Sequence, residues 1–516
     1  FLSSPERCGD HTFSWASSGF TSLGASPMRA KSTSTRPSGD VVFHPPRVKS
    51  GTSTEFERFF TDFRRVVSAL FVENYADEMA RLCRKAGILF SCECYGNFVT
   101  DEVRWGWNVD LPMGEFWAVN PDIERREAPQ DWMAPPADGL DGARFMRPWV
   151  SVAHMRGLRY FGSEAFTSFP ADGRWQQDPW SYKQTGDAAY CGGVNRMIYH
   201  RWAHQPWTKP PRLPGMTMGV WGTHFERTET WWPMVGPWIK YQTRCQHLLQ
   251  EGLFAPDVLF YSGEEIPNNG RGKNSLLEPG MNPTGLIPRC WLADSASRDI
   301  LPFLTAKNGR VYAPSGISYG AVVMQPRTLA SPEALRTFAD WAAKGVRIAG
   351  VKPKDAPGLA GGAAARAEAR RLADEIWSRP NVTSLAPGEA PTRALLEGMG
   401  LRPSFLSTPG LNWYRRAYAD GTDGFFVCSP ATTATVARCS FAVTGRVPEL
   451  WNAETGEMFR AREWKEADGG TEVTVPFAGR GSWFVMFRPA PTAGIADSVA
   501  PTVVRAETLS GAWKVS

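Results

Sequence analysis

Three glutamates stand where apolar runs give out, each beside aromatic side chains: Glu93 in "ILFSCECYGN", Glu115 in "DLPMGEFW" and Glu164 in "LRYFGSEAFTS". Carboxyls in such places can do acid–base work. Among aromatic rings a carboxyl is poorly solvated, so its pKa rises and it keeps a proton near neutrality. A second, ionised carboxylate can then act as nucleophile or as base for a water, the division of labour that glycoside hydrolysis needs. The plainer alternative for each glutamate is a strand-end residue paired to an arginine or capping a helix.

Further polar candidates follow. "YHRWAHQPW" sets His200 and His204 four residues apart. A zinc pair would need a third ligand, and none is evident. Hydrogen bonding to sugar hydroxyls is the preferred reading, with Trp202 and Trp207 as stacking platforms. "PGMTMGVWGTHFERTETWW", which contains Trp221, is long and lacks periodicity, as expected of a functional loop over a cleft.

The elements that must position these groups alternate. A helical pattern from "STEFERFF" to Gly87 precedes the strand "ILFSCECYG". Helices around "RFMRPWVSVAHMRG", "WSYKQTGDAAYCGG" and "TWWPMVGPWIKYQTRCQHLLQEG" precede the strands "LRYFGSEAF", "VNRMIYHRW" and "DVLFYSG". Repeated helix-then-strand units predict a parallel α/β architecture. In a (β/α)₈ barrel, catalytic groups sit at the carboxyl ends of strands, and Glu93, Glu164, His200 and Glu264 fall at or just past such ends. Strand alternation points Glu93 and Ser91 one way and Cys92 and Cys94 the other.

The expected organisation is an atypical segment over 1–53, a (β/α) barrel part over 54–274, an α/β domain over 275–405, a β-sandwich domain over 406–490 and the start of a further β domain over 491–516. The barrel is expected to be incomplete at its N-terminal strands. "GLAGGAAARAEARRLADEIW" opens an amphipathic helix and is not the GxGxxG of a nucleotide site.

Composition narrows the class. A net charge of +5 over 516 residues, with basic residues scattered, argues against nucleic acid. No apolar run is long enough for a membrane span. The 22 Trp and 29 Phe fill a core, and their excess also tilts toward a site that stacks sugar rings. Nine scattered cysteines without CxxC spacing read as buried thiols. No signal peptide is visible in "FLSSPERCGD".

Taken in order, "CECYGN", "DLPMGEFW", "GSEAFTS", "GDAAYCGGVNRMIYHRWAHQPW", "PGMTMGVWGTHFERTETWW" and "APDVLFYSGEEIP" resemble the glycoside hydrolase family 106 α-L-rhamnosidases from about 54 to 490. The resemblance implies a catalytic (β/α)₈ barrel with accessory domains and calcium near the sugar hydroxyls. It implies inverting, exo-acting release of rhamnose from plant or bacterial glycans, and a secreted or periplasmic protein. By motif, Glu93 is the first choice for a catalytic carboxylate, as the base. Glu115 and Glu164 follow as catalytic partner or as ligand to calcium or sugar, Glu115 being the metal candidate. Tyr95, Asn195, His200 and Trp202, with His204, Trp221 and Glu264, are the expected sugar contacts. The family's front Asp-Ser-aromatic-Glu motif is not found: in "HTFSWASSGF", Phe13 and Ala16 stand in place of the acids. Two other readings stay open: a catalytically silent carbohydrate-binding relative, and a calcium-dependent polysaccharide lyase with His200 or Tyr199 as base.

Overall fold

The computed structural model describes residues 54–94, 99–118, 147–168, 173, 175–212, 222–266 and 286–497. Glu57–Ser516 form one compact unit and Phe1–Phe56 another. The expectations placed on 1–53, and those on 491–516 beyond residue 497, lie outside the described residues.

Helix α1 (Thr54–Phe71) carries Arg58, Asp62 and Arg65 on one face, because residues three and four apart are neighbours on a helix. That face is polar and docks on the later part of the chain. Arg58 pairs with Asp355 at 2.8 Å, and Asp62 accepts from the backbone N–H groups of Leu359 and Ala360. A π-helical turn, Val72–Asp77, and α2 (Glu78–Lys85) lead to the first strand, β1 (Ser91–Glu93).

With β2 (Leu111–Trp117), β3 (Gly162–Thr167) and β4 (Arg196–Tyr199), β1 forms a parallel sheet in sequence order. Parallel neighbours need crossover connections. Here these include α3 (Glu102–Gly106), α4 (Arg147–Arg156) and α5 (Pro179–Cys191). The start of α5 is fixed locally: Asp178 and Ser181 form a reciprocal capping box, with Pro179 at the first helical position.

One face of this sheet buries Phe116, Ala165 and Phe166. Phe166 packs on Phe116 at 4.9 Å and on Tyr182 of α5 at 5.1 Å, and Phe225 stacks on Trp238 at 5.8 Å. Gly186 lets α5 approach this closely, since a Cβ there would meet the Phe166 ring at 3.2 Å. Part of the aromatic excess is therefore core. Trp238 lies on α6 (Gly236–Gln250), which begins later than its apolar pattern. Pro233 and Pro237 lack the N–H that a continuous helix needs, so a 3₁₀ turn, Trp232–Met234, comes first.

After the short β5 (Leu253–Phe254), β6 (Val258–Tyr261) leaves the first sheet. It pairs with β7 (Ala293–Ala296), and a small three-stranded sheet of β8 (Thr305–Lys307), β9 (Arg310–Tyr312) and β10 (Ser318–Tyr319) follows. β11 (Ala321–Met324), β12 (Arg347–Gly350) and β13 (Val382–Ser384) complete a second parallel sheet in the order β13-β12-β11-β6-β7. β6 and β11 are buried throughout, as expected of strands covered on both faces. Helices α7 (Pro332–Ala343), capped by Ser331, and α8 (Gly362–Trp377) belong to this layer. The α/β class expected from the alternation is thus observed. The fourth helix-then-strand unit, however, starts a new sheet. Among the described residues the first sheet is an open array of four strands, not a closed ring.

From residue 405 the described chain is all strand. β14 (Phe405–Thr408), β17 (Thr435–Phe441), β20 (Trp464–Ala467) and β21 (Gly470–Phe477) make one antiparallel sheet. β15 (Asn412–Ala417), β16 (Asp423–Cys428), β18 (Pro448–Trp451), β19 (Met458–Arg460), β22 (Ser482–Phe487) and β23 (Ala496–Asp497) make the other. β5 joins the edge of this second sheet by pairing with β15.

Candidate active site

Register decides which glutamates meet. Glu93 is the partner of Met113, Met113 of Gly162, Glu115 of Glu164, and Glu164 of Ile198. Partners in a parallel pair point to the same face, as do residues two apart on a strand. All three glutamates therefore project from one face, opposite to Phe116 and Ala165. Each is partly open to solvent. With strands about 4.8 Å apart, Glu115 and Glu164 are immediate neighbours. Glu93 is one strand over and one step back, which puts its Cα about 8 Å from that of Glu115 and about 12 Å from that of Glu164.

Glu164 is held from above. The register shifts between Phe116 and Trp117, and Phe166 takes φ 63°, a conformation costly for an aromatic residue and met where the chain is bent to a purpose. The bend brings the Thr167 hydroxyl back to donate to Glu164 Oε1, and His200 Nε2 lies 3.9 Å from the same oxygen. The His200 ring rests on Gly222, whose φ is 82°; a Cβ there would come within 2.5 Å of Nδ1.

Residues 222–225 run beside the end of β4. Arg201 N–H donates to Thr223 O, Thr223 N–H to His200 O and Phe225 N–H to Arg201 O. This brings in a group that motif reading passed over: Trp175, Arg201, His224, Glu226 and Glu229. His224 stacks on Trp175 at 3.8 Å and lies 3.5 Å from Arg201 Nη2. Burial, then the Arg201 charge, pushes His224 down to about 4. Burial, then the neighbouring Glu226, pushes Glu229 up to about 7. For His224, Glu226 and Glu229 the signal was the long loop that contains them. Which of its residues are buried depends on contacts with β3 and β4.

The expected sugar contacts divide. Past β4 burial alternates, with Arg201 and Gln205 buried and Trp202 and His204 exposed. The two exposed rings lie 6.3 Å apart. Arg227 clamps this stretch by donating to Trp207 O at 2.9 Å and to Gln205 O. Trp202, 65% exposed, is therefore an aromatic face held open on a fixed backbone. Asn195 is a correction. It lies at the amino end of β4, away from the carboxylates, and its buried amide accepts from Phe161 N–H and donates to Arg159 O and Leu249 O. Glu264 is a second correction: it follows β6, in the other parallel sheet. Its carboxylate accepts from Ser331 N–H at 2.6 Å at the start of α7 and faces Arg65 of α1 at 3.4 Å. Burial raises its pKa while Arg65 opposes the rise. Tyr95 and Trp221 lie outside the described residues.

The sequence model of glycoside hydrolase family 106, described as alpha-L-rhamnosidase, matches residues 48–464. The chain belongs to this family. The α-L-rhamnosidase family match spans the carboxylate sheet, the second α/β layer and most of the β-sheets that follow. A protein of Formosa agariphila with a provisional β-glucuronidase name is 30% identical over 449 residues, covering 86% of this chain and 35% of that protein. The solved rhamnosidase from Novosphingobium sp. PP1Y aligns with a TM-score of 0.74 and 24% identity, covering 87% of this chain and 41% of that one. A GH42 β-galactosidase, Gan42B, shares the fold more distantly, with a TM-score of 0.50 at 10% identity over 86% of this chain and 70% of that one. The chain thus spans well under half of the first two relatives.

The family resemblance implies calcium near the sugar hydroxyls. Calcium takes six to eight oxygens. Glu115 and Glu164 offer neighbouring carboxylates, but among the described residues no group of three or more His, Cys, Asp or Glu is placed to hold a metal ion. The described donors alone do not make such a site.

Proposed function

We propose that this family 106 protein is an exo-acting α-L-rhamnosidase that releases terminal rhamnose with inversion. The observation that carries the reading is the open sheet face on which Glu93, Glu115 and Glu164 stand together. Inversion needs an acid and a base about 6.5–9.5 Å apart, with room for a water between them. The Cα atoms of Glu93 and Glu115, about 8 Å apart by strand geometry, leave room for their carboxyls to take up such a spacing, Glu93 serving as base. Glu164, tied to Thr167 and beside His200, is then the group that grips sugar hydroxyls, and Trp202 offers a face to the next ring. The four-stranded sheet is read as part of a (β/α)₈ barrel.

Calcium dependence and export to the periplasm or medium belong to the same proposal. No reaction step is assigned to the ion. Chelator should abolish turnover and added calcium restore it, and cell fractionation tests the location. Among the described residues no helix is long and apolar enough to cross a membrane.

The silent-relative reading is favoured by the front of the sequence, where Phe13 and Ala16 replace the family's acids. Rhamnose binding without release by the folded chain would establish it. The lyase reading is weakened where it uses Tyr199, because burial raises that phenol and makes its ionised form costly. Release of free rhamnose from an aryl α-L-rhamnoside, lost in Glu93→Gln and Glu115→Gln, tests the proposal. A lyase would instead give unsaturated products.

A further inference from the structure

We propose that Cys191 and Cys428 form a disulfide when the chain folds in an oxidising compartment, covalently joining the helix beneath the carboxylate sheet to the β-sandwich. Cys191 is the last residue of α5 and Cys428 the last of β16, 237 positions apart in sequence. Their sulfurs lie 3.7 Å apart. Both are buried, so the contact sits inside the packing and is not a chance approach of mobile surface groups.

The surroundings hold the two thiols in place. Tyr190, next to Cys191, packs edge-on against Phe426 of β16 at 5.8 Å. Two turns toward the amino end of α5, Lys183 reaches the same sheet: its Nζ donates to Ser482 Oγ at 2.9 Å and, within the helix, to Asp187 at 2.7 Å. At the start of α5, Arg480 donates to Trp180 O at 2.7 Å. The helix is therefore fixed on the sandwich along its length, and the 3.7 Å between the sulfurs must close to the length of an S–S bond, about 2.05 Å. By contrast, Cys92 and Cys94 are two apart on a strand, and the Cys94 thiol is spent on the Cys92 carbonyl at 3.4 Å.

The chemistry is thiol–disulfide exchange with a small-molecule disulfide or a disulfide oxidoreductase. One cysteine thiolate attacks a sulfur of the oxidant, whose S–S bond breaks and leaves as a thiolate that takes up a proton. The second cysteine, as thiolate, attacks the mixed disulfide and releases the other thiol. Two protein thiols are oxidised and one oxidant disulfide is reduced to two thiols. Burial makes both cysteines unreactive once folding is complete, so the bond forms during folding, and a chain folded in a reducing cytosol stays reduced.

α5 runs through Gly192 and Gly193 into Asn195 and β4, and so toward His200. The bond thus anchors the element that feeds the candidate site, and it closes a loop of 237 residues. Long closed loops are where the chain-entropy account places the largest gain.

The test is to refold the full chain in a glutathione redox buffer, denature it in acid with excess alkylating agent, digest without reductant and map the peptides. The expected result is a peptide containing Cys191 joined to one containing Cys428, 2 Da lighter than the sum of the two. Its thermal midpoint should fall by several degrees on reduction in the parent but not in Cys428→Ser. Both cysteines alkylated in the oxidised, folded protein, or either joined to a different cysteine, would overturn the proposal. The mapping needs no variant, so a Cys428→Ser chain that fails to fold leaves the test intact.

Discussion

Glu115 and Glu164 are register partners across β2 and β3, so their carboxylates rise side by side from one open face of the sheet. Glu93 shares that face from one row further back. The two spacings have different chemical meanings. Carboxyls about 5 Å apart suit a retaining, double-displacement reaction, whereas a separation of about 6.5–9.5 Å leaves space for the water of an inverting one. By Cα position Glu115 and Glu164 are the closer pair and Glu93 and Glu115 the wider one.

The three glutamates should therefore separate under conservative substitution. Glu93→Gln and Glu115→Gln each remove a proton-transfer role and little volume, and each should lower kcat by about 10²–10⁴-fold with folding intact. Glu164→Gln keeps the volume and an acceptor oxygen for Thr167 and for sugar hydroxyls, so its larger effect should be on KM. Steady-state kinetics on an aryl rhamnoside, with circular dichroism as the folding control, checks the order. Unchanged kcat in Glu93→Gln would remove it from the site.

The pH dependence of stability should carry two opposed contributions. His224, depressed to about 4, binds fewer protons folded than unfolded between about 4 and 6.5, so its contribution rises with pH across that window. Glu229, raised to about 7, binds more protons folded than unfolded above about 4.5, so its contribution falls as pH climbs to 7. Chemical denaturation from pH 4 to 8 should show Glu229→Gln gaining stability relative to the parent as pH rises through that range. His224→Asn should lose the parent's His224-linked rise. A flat difference between Glu229→Gln and the parent would contradict the shift.

Asn195→Ala should be a stability variant and not a binding variant. It strands the buried Phe161 N–H and the buried Leu249 carbonyl, at a cost of about 2–3 kcal/mol. Thermal unfolding should show the loss, while KM per folded molecule stays at the parent value.

Trp202→Ala should act on the substrate beyond the first ring. Loss of an exposed stacking face should raise KM about tenfold for a substrate with a second sugar ring, equivalent to about 1.4 kcal/mol. kcat and the far-ultraviolet circular dichroism spectrum should hold, because the ring is 65% exposed.

These contrasts also mark what the sequence made legible. The apolar run ending on Glu93 placed it at a strand end, as found, and alternation gave its face, with Cys94 buried behind it. Glu164, also expected at a strand end, is instead the third of six residues in β3. Glu115 lies in the middle of a seven-residue strand, because "LPMGEFW" carries its alternation through the glutamate. Asn195 and Glu264 were misplaced for a shared reason. What spends the Asn195 amide lies 34 to 54 residues away, and what holds Glu264 lies 67 residues away on α7. Nothing in "DVLFYSG" tells that its strand pairs with β7 and β11 and not with β4. His224 and Glu229 sit in a loop whose burial is set by hydrogen bonds to β3 and β4, a tertiary fact with no local pattern.

The central claim is tested most directly by following, by NMR, the anomer of rhamnose first released from an aryl α-L-rhamnoside by the 516-residue chain. The account predicts the inverted β-anomer as first product, lost in Glu93→Gln and Glu115→Gln alike. First release of the α-anomer would contradict it and shift the chemistry to the neighbouring Glu115–Glu164 pair.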